Sequence, residues 1–207
     1  MLGLLILRFV VKEKPALALV AHRNGVKRTS IGRIVNEKQI AEVILSGLKA
    51  AGINVIATLP DINLASLLEA IEVDGEVIHV PLCREEEGIG ICAGAYLVGK
   101  KCAAIMQNGG FFNSHNAIVT TLLQYEIPLL LLIYYAGDIG DRTFSTSGGV
   151  TEPLLRALGI RYYILRDAGG AMELIKRAQV LAEDSKRPVA LLMTKEGLGR
   201  RSVIKSL

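Results

Sequence analysis

The stretch Cys83-Arg-Glu-Glu-Glu-Gly-Ile-Gly-Ile-Cys-Ala-Gly-Ala-Tyr96 sets three consecutive acids at the head of a segment with no further charge until Lys100. A helix favours carboxylates in its first turn, because they meet the positive end of its dipole. Helix-end electrostatics is therefore one reading of each acid. The other is that one of the three turns inward as a functional acid, its pKa set by burial. Either way the stretch opens a helix that Gly99 closes, and it follows an apolar strand, Glu76 to Val80. A strand feeding directly into an apolar helix is the unit from which α/β sheets are built.

Outward from this unit the same alternation repeats. Asn36 caps a helix from Glu37 to about Ala51, stopped by Gly52, and Asn54 to Thr58 follows as a strand. Pro60-Asp61 turns the chain into a helix from about Asn63 to Val73. Beyond the acidic helix, Cys102 to Met106 reads as a strand, Gln107 to Phe112 as a loop, Asn113 to Tyr125 as a helix and Pro128 to Tyr135 as the most apolar strand. A Gly/Ser/Thr-rich loop, Gly137 to Gly149, then precedes a helix from Thr151 to Leu158. A strand from Ile160 to Leu165, a helix from Ala168 to Glu183 and a strand from Val189 to Met193 complete the series. Six strands apolar on both faces, separated by helices, predict an α/β, doubly wound, mostly parallel sheet covered on both sides. Ligands in such sheets bind outside the carboxyl ends of the strands. That points to four loops: Leu59 to Asp61, Cys83 to Gly88, Gln107 to Asn113 and Gly137 to Gly149.

Composition narrows the function. At 207 residues the chain holds one domain of ordinary size, expected over residues 36–195. Residues 1–35 read as an appendage and 196–207 as a tail. The net charge of +4 is spread along the chain with no basic run interleaved with aromatics, so no nucleic-acid partner is expected. Met1 to Val11 is apolar but too short to span a bilayer, and it contains Arg8 without a basic leader or cleavage pattern, so no membrane association is expected. Cys83, Cys92 and Cys102 lack metal-type spacing, and His22, His79 and His115 lie far apart. Neither a disulfide framework nor a metal site is encoded, and a reducing, cytoplasmic compartment is expected.

Several chemistries fail on the residues. Gly88-x-Gly90-x-x-Ala93 has the context of a dinucleotide fingerprint, but the acids sit where a pyrophosphate must approach, and the next strand ends in Gln107 where an acid would hold a ribose. The glycines are better explained by close packing of the helix on the sheet. No Gly-x-Ser-x-Gly elbow and no Gly-Lys-Ser/Thr loop occurs. Cys83 reads as a buried strand-end residue, and Asp138 and Asp141 as solvated loop acids.

Glu86-x-Gly88-x-Gly90-x-x-Ala93-x-x-Tyr96 resembles the stretch around the activating glutamate of thiamine-diphosphate enzymes, with Ala95 in place of the usual glycine before the tyrosine. The fuller string from Arg84, with Met106-Gln107-Asn108, Asn113-Ser114 and Ile127-Pro128 downstream, is similar to the α subunits of sulfopyruvate decarboxylases and to phosphonopyruvate decarboxylases, over residues 37–194.

The resemblance implies a pyrimidine-binding domain in which Glu86 hydrogen-bonds N1′ of the cofactor's aminopyrimidine. The cofactor supplies the carbon nucleophile and electron sink for decarboxylating a 2-oxo acid. It implies further that Pro60, Gln107, Asn108, Gly109, Gly110 and Asn113 approach the cofactor, and that Asp61 lies near the reacting carbon, unless it only caps the following helix. Ser114 and His115 are candidates to meet an anionic substrate. Phe112 and His115 depart from the family's usual residues. No Gly-Asp-Gly motif of the kind that holds Mg²⁺ and the diphosphate is present; Gly137-Asp138-Ile139-Gly140-Asp141 does not match it. The resemblance therefore implies a separate β subunit with that domain, and activity only in the hetero-oligomer. The expected reaction is 3-sulfopyruvate to sulfoacetaldehyde and CO₂ in coenzyme M formation. The alternatives are a phosphonopyruvate decarboxylase subunit and a non-catalytic binding domain.

Overall fold

In a computed structural model, residues 36–141 and 144–200 are described; the expected appendage and most of the tail lie outside them. Fifteen elements follow the predicted alternation: α1 (Glu37–Ala50), β1 (Val55–Thr58), α2 (Ala65–Asp74), β2 (Ile78–Pro81), α3 (Glu85–Leu97), β3 (Cys102–Gln107), α4 (Asn108–Asn113), α5 (His115–Ala117), a π-helix (Ile118–Leu123), β4 (Leu130–Tyr134), α6 (Ser145–Ala157), β5 (Arg161–Leu165), a 3₁₀ turn (Ala168–Gly170), α7 (Ala171–Ser185) and β6 (Val189–Met193). The six strands form one parallel sheet in the order β2-β1-β3-β4-β6-β5.

Alternation along each strand divides the core in two. Ile56, Ala103, Ile105, Leu130, Leu132, Leu191 and Met193 pack against α1, α2 and α7. Their neighbours Val55, Ala57, Ala104, Met106, Leu131, Ile133 and Leu192 pack against α3, α4, the π-helix and α6. The central strands are buried on both faces, as a covered parallel sheet requires. β2 and β5 are edge strands and are largely exposed or half-buried, which corrects the expectation that all six would be apolar on both faces. At the start of α1, Asn36 and Gln39 exchange side-chain-to-backbone hydrogen bonds in a capping box.

Two predicted loops are helical. β3 runs straight into α4, so Asn108 to Asn113 form a helix where a glycine-rich loop was expected. Gly110 is there for packing: a Cβ on it would overlap the Glu85 side chain. Likewise α6 begins at Ser145, within the expected Gly137–Gly149 loop, and carries Pro153 in its interior. β4 loops to α6 under tight constraint, since a Cβ on Gly137 (φ +83°) would collide with the Phe144 carbonyl.

β1 and β3 are neighbours, yet the chain leaves β1 for α2 on one face and β3 for α4 on the other. The sheet therefore has a topological switch point between their carboxyl ends, where a crevice for ligands forms.

Candidate active site

The three acids of the opening stretch have three different fates. Glu87, in the first turn of α3, accepts through Oε2 from the backbone N–H groups of Cys83 at 3.3 Å and Arg84 at 3.2 Å, closing the helix start. Glu85 is half-buried with its side chain against Gly110 of α4. Glu86 is paired through Oε1 with Arg84 Nε at 2.7 Å, and its side chain is one-third exposed. Its other oxygen, Oε2, is buried and has no hydrogen-bond partner. A buried carboxylate oxygen left unpaired is costly unless something outside the chain satisfies it. Of the three, only Glu86 holds a buried oxygen without a partner.

Across the switch point, Asp61 and Gln107 meet. Gln107 Nε2 donates to Asp61 Oδ2 at 3.0 Å, while Asp61 Oδ1 accepts from the Asn63 backbone N–H at 2.7 Å. Asp61 therefore shapes the turn after β1. The side-chain cap expected of it as one alternative does not form: α2 begins at Ala65 after an uncapped Leu64. Pro60 is exposed on the same loop.

On α4 the residues diverge. Asn108 turns its amide into the protein, donating to the Ala136 carbonyl at 2.8 Å and to Thr151 Oγ1 at 3.0 Å, with Oδ1 buried and unpartnered. It ties the start of α4 to β4 and α6. Gly109 and Gly110 lie in the first turn, and Asn113 is exposed at its end. Ser114 donates its hydroxyl back to the Gly110 carbonyl at 2.8 Å and is fully buried. His115 Nδ1 donates to the Phe112 carbonyl at 2.7 Å, and the ring lies 4.6 Å from that of Phe111; Nε2 is buried without a partner. Glu86, Asp61 and Gln107 thus present polar groups at the carboxyl end of the sheet, while Asn108 and Ser114 spend theirs inside the fold.

Sequence reasoning missed several contacts. Arg84 carried no reading of its own, and its pairing with Glu86 spans only two residues. The Glu87 cap follows a capping-box spacing hidden because the cap position is Arg. Thr58 Oγ1 lies 2.8 Å from His79 Nε2, a contact made by adjacent strands 21 residues apart, which no local pattern shows. Cys83 is exposed, correcting its reading as a buried residue; Cys92 and Cys102 are buried. Among the described residues, no group of three or more His, Cys, Asp or Glu gathers to hold a metal ion, and no helix is long and apolar enough to cross a membrane.

Comparison with known proteins places this arrangement. Residues 38–138 match the family described as thiamine pyrophosphate enzyme, N-terminal TPP binding domain. A solved 2-oxoglutarate:ferredoxin oxidoreductase from Magnetococcus marinus shares the fold, with a TM-score of 0.63 at 15% identity over 78% of this chain and 29% of that one. The fold is thus that of the pyrimidine-binding domain of thiamine-diphosphate enzymes.

Within that class the likeness is specific. The sulfopyruvate decarboxylase subunit alpha of Methanocaldococcus jannaschii is 42% identical over 72% of this chain and 89% of its own length. That of Methanococcus maripaludis is 36% identical over 74% and 93%. The chain belongs to the family of sulfopyruvate decarboxylase alpha subunits.

Proposed function

We propose that the chain is the α subunit of a cytoplasmic, thiamine-diphosphate-dependent decarboxylase that converts 3-sulfopyruvate to sulfoacetaldehyde and CO₂, a step of coenzyme M formation. A separate β subunit brings the domain that holds Mg²⁺ and the diphosphate. The observation that carries the reading is the buried, unpartnered Oε2 of Glu86 at the head of α3. The residues present fit the cofactor's pyrimidine half: an acceptor waits where a protonated ring nitrogen can donate. When bound, the cofactor supplies the carbon nucleophile and the electron sink that loss of CO₂ requires.

This chain's residues do the rest. Glu86 holds a proton at the pyrimidine nitrogen and moves it with the ring's tautomer. Asp61, fixed by Gln107 and by its own turn, would lie near the reacting carbon. Pro60 and Gly109 would offer backbone surface to the ring, Gly110 lets Glu85 pack against α4, and Asn108 acts by anchoring α4. Asn113 ends that helix, Ser114 follows it and His115 opens α5. The substrate choice rests on relatives named sulfopyruvate decarboxylase subunit alpha, which at 34–42% identity exceed the 25–26% of phosphonopyruvate decarboxylases from two Streptomyces species.

The test is CO₂ release by co-purified α and β chains with thiamine diphosphate and Mg²⁺, on sulfopyruvate, phosphonopyruvate and pyruvate. Sulfopyruvate should be preferred, and Glu86→Gln should abolish turnover. Preference for phosphonopyruvate overturns the substrate; near-full turnover of Glu86→Gln overturns the role of Glu86.

A further inference from the structure

The two oxygens of Glu86 are not equivalent. Oε1 is held at 2.7 Å by Arg84 Nε, and Oε2 is buried with nothing to bond. Arg84 is itself held by its backbone, because its N–H donates to Glu87 Oε2 at 3.2 Å and its φ of −145° keeps it extended at the head of α3. The chain of contacts therefore runs from Glu87 to the Arg84 backbone, out along the Arg84 side chain and back to Glu86. Every link lies within four residues.

We propose that Arg84 is a positioning residue for Glu86: by engaging one carboxylate oxygen it fixes the rotamer that presents the other to the cofactor ring. The proposal rests on the reading of Glu86 given above and extends it to a residue whose side chain has no other partner among the described residues. A glutamate on a helix end is free to turn about three side-chain bonds, and ordering it costs entropy. An exposed ion pair adds little to fold stability. Its contribution here is geometric, because a charged acceptor must lie within a few tenths of an ångström of the atom it serves. The neighbouring groups leave Arg84 to Glu86 alone: Glu87 is spent on backbone N–H groups, Glu85 packs against Gly110, and α4 brings no ionisable side chain.

The test compares wild type, Arg84→Ala, Arg84→Lys and Glu86→Gln in the assembled α–β complex. Thiamine diphosphate affinity is read by equilibrium dialysis with Mg²⁺, and kcat and KM for sulfopyruvate are read separately. Arg84→Ala should weaken cofactor binding about tenfold and lower kcat of the loaded complex about tenfold, the range seen when the group orienting a site ligand is removed, with KM little changed. Arg84→Lys, which keeps the charge but not the planar guanidinium, should recover part of the affinity. Unchanged affinity and kcat in Arg84→Ala beside an inactive Glu86→Gln overturns the role of Arg84 and leaves Glu86 standing. If wild type releases no CO₂ from sulfopyruvate, the functional reading falls, and cofactor affinity still decides on Arg84. A change confined to the thermal midpoint, with affinity and kcat intact, also overturns the proposal.

Discussion

Gln107 Nε2 donates to Asp61 Oδ2 at 3.0 Å, joining the last residue of β3 to the loop after β1, where the chain leaves these neighbouring strands toward opposite faces of the sheet. The bond spans the switch point where a doubly wound sheet opens. It also keeps the Asp61 carboxylate from turning out to solvent. Asp61→Asn preserves the size of the side chain and the acceptor for Asn63, so the thermal midpoint should stay near that of wild type. Turnover of the assembled complex should drop at least about tenfold, because a charged, oriented group is lost at the crevice. Unchanged kcat/KM would leave Asp61 a hinge of its loop and nothing more.

How far the sequence alone carries is visible in particular elements. β6 matches its expected span of Val189 to Met193 residue for residue, since an apolar run of this length between polar turns is too short for a buried helix. The edge position of β2 was not legible, because strand order is a property of the whole fold and a short apolar run looks the same at an edge. Gly109-Gly110 suggested a loop, as glycine pairs usually do. The reason for Gly110 lies in the close approach of Glu85, 25 residues away. The Gly/Ser/Thr-rich run to Gly149 also suggested a loop, whereas α6 already runs from Ser145. Glu86 was legible only by likeness to a family. The helix it opens is buried at Gly88, Ile89, Cys92 and Ala93 but exposes equally apolar residues, so periodicity could not choose among the acids.

The glycines of α3 provide a contrast within one helix. A Cβ on Gly88 would lie 2.6 Å from Leu82 Cδ1 and 3.3 Å from Ala57 Cβ, whereas one on Gly90 would meet nothing within 4 Å. Gly88→Ala should therefore destabilise the protein by about 1–3 kcal/mol through overpacking against Leu82 and Ala57. Gly90→Ala in the isolated chain should stabilise it by about 0.5–1 kcal/mol, by removing helix-interior glycine. Chemical denaturation of the two variants measures both; equal effects would mean that α3 does not approach the sheet through Gly88.

Stability in acid should depend on Glu152. Its carboxylate accepts from Tyr162 Oη at 2.6 Å, from Tyr135 Oη at 2.9 Å and from Arg156 at 2.9 Å. These bonds, the one from Tyr162 foremost, hold its pKa below the ordinary 4.5. Burial, with the same carboxylate as partner, pushes the Tyr135 hydroxyl upward. Because the folded pKa of Glu152 is the lower one, its contribution is complete above about pH 4.5 and is lost as pH falls through the folded value. Unfolding free energy should decline over that acid range, and Glu152→Gln should flatten part of the decline. A variant whose pH profile parallels wild type would show the network to be energetically idle.

The three cysteines should separate by reactivity. Cys83 is exposed just ahead of α3, while Cys92 is 1% and Cys102 5% exposed. Contact with Cys102, reinforced by burial, pushes the Cys92 thiol far above its ordinary range, so little thiolate forms there. Iodoacetamide should add one group rapidly to the native chain and three in denaturant. The second and third should lag by about a thousandfold or more natively, since they wait on opening of the core. Cys102 also lines a cavity of about 260 Å³ with Tyr96, Lys100 and Pro128, at the end of the sheet opposite the crevice. Rapid modification of Cys102 in the native chain would mean that this cavity admits solvent to the start of β3. Because Cys83 directly precedes Arg84, modification confined to Cys83 should weaken thiamine diphosphate binding in the assembled complex, whereas modification of Cys102 should not.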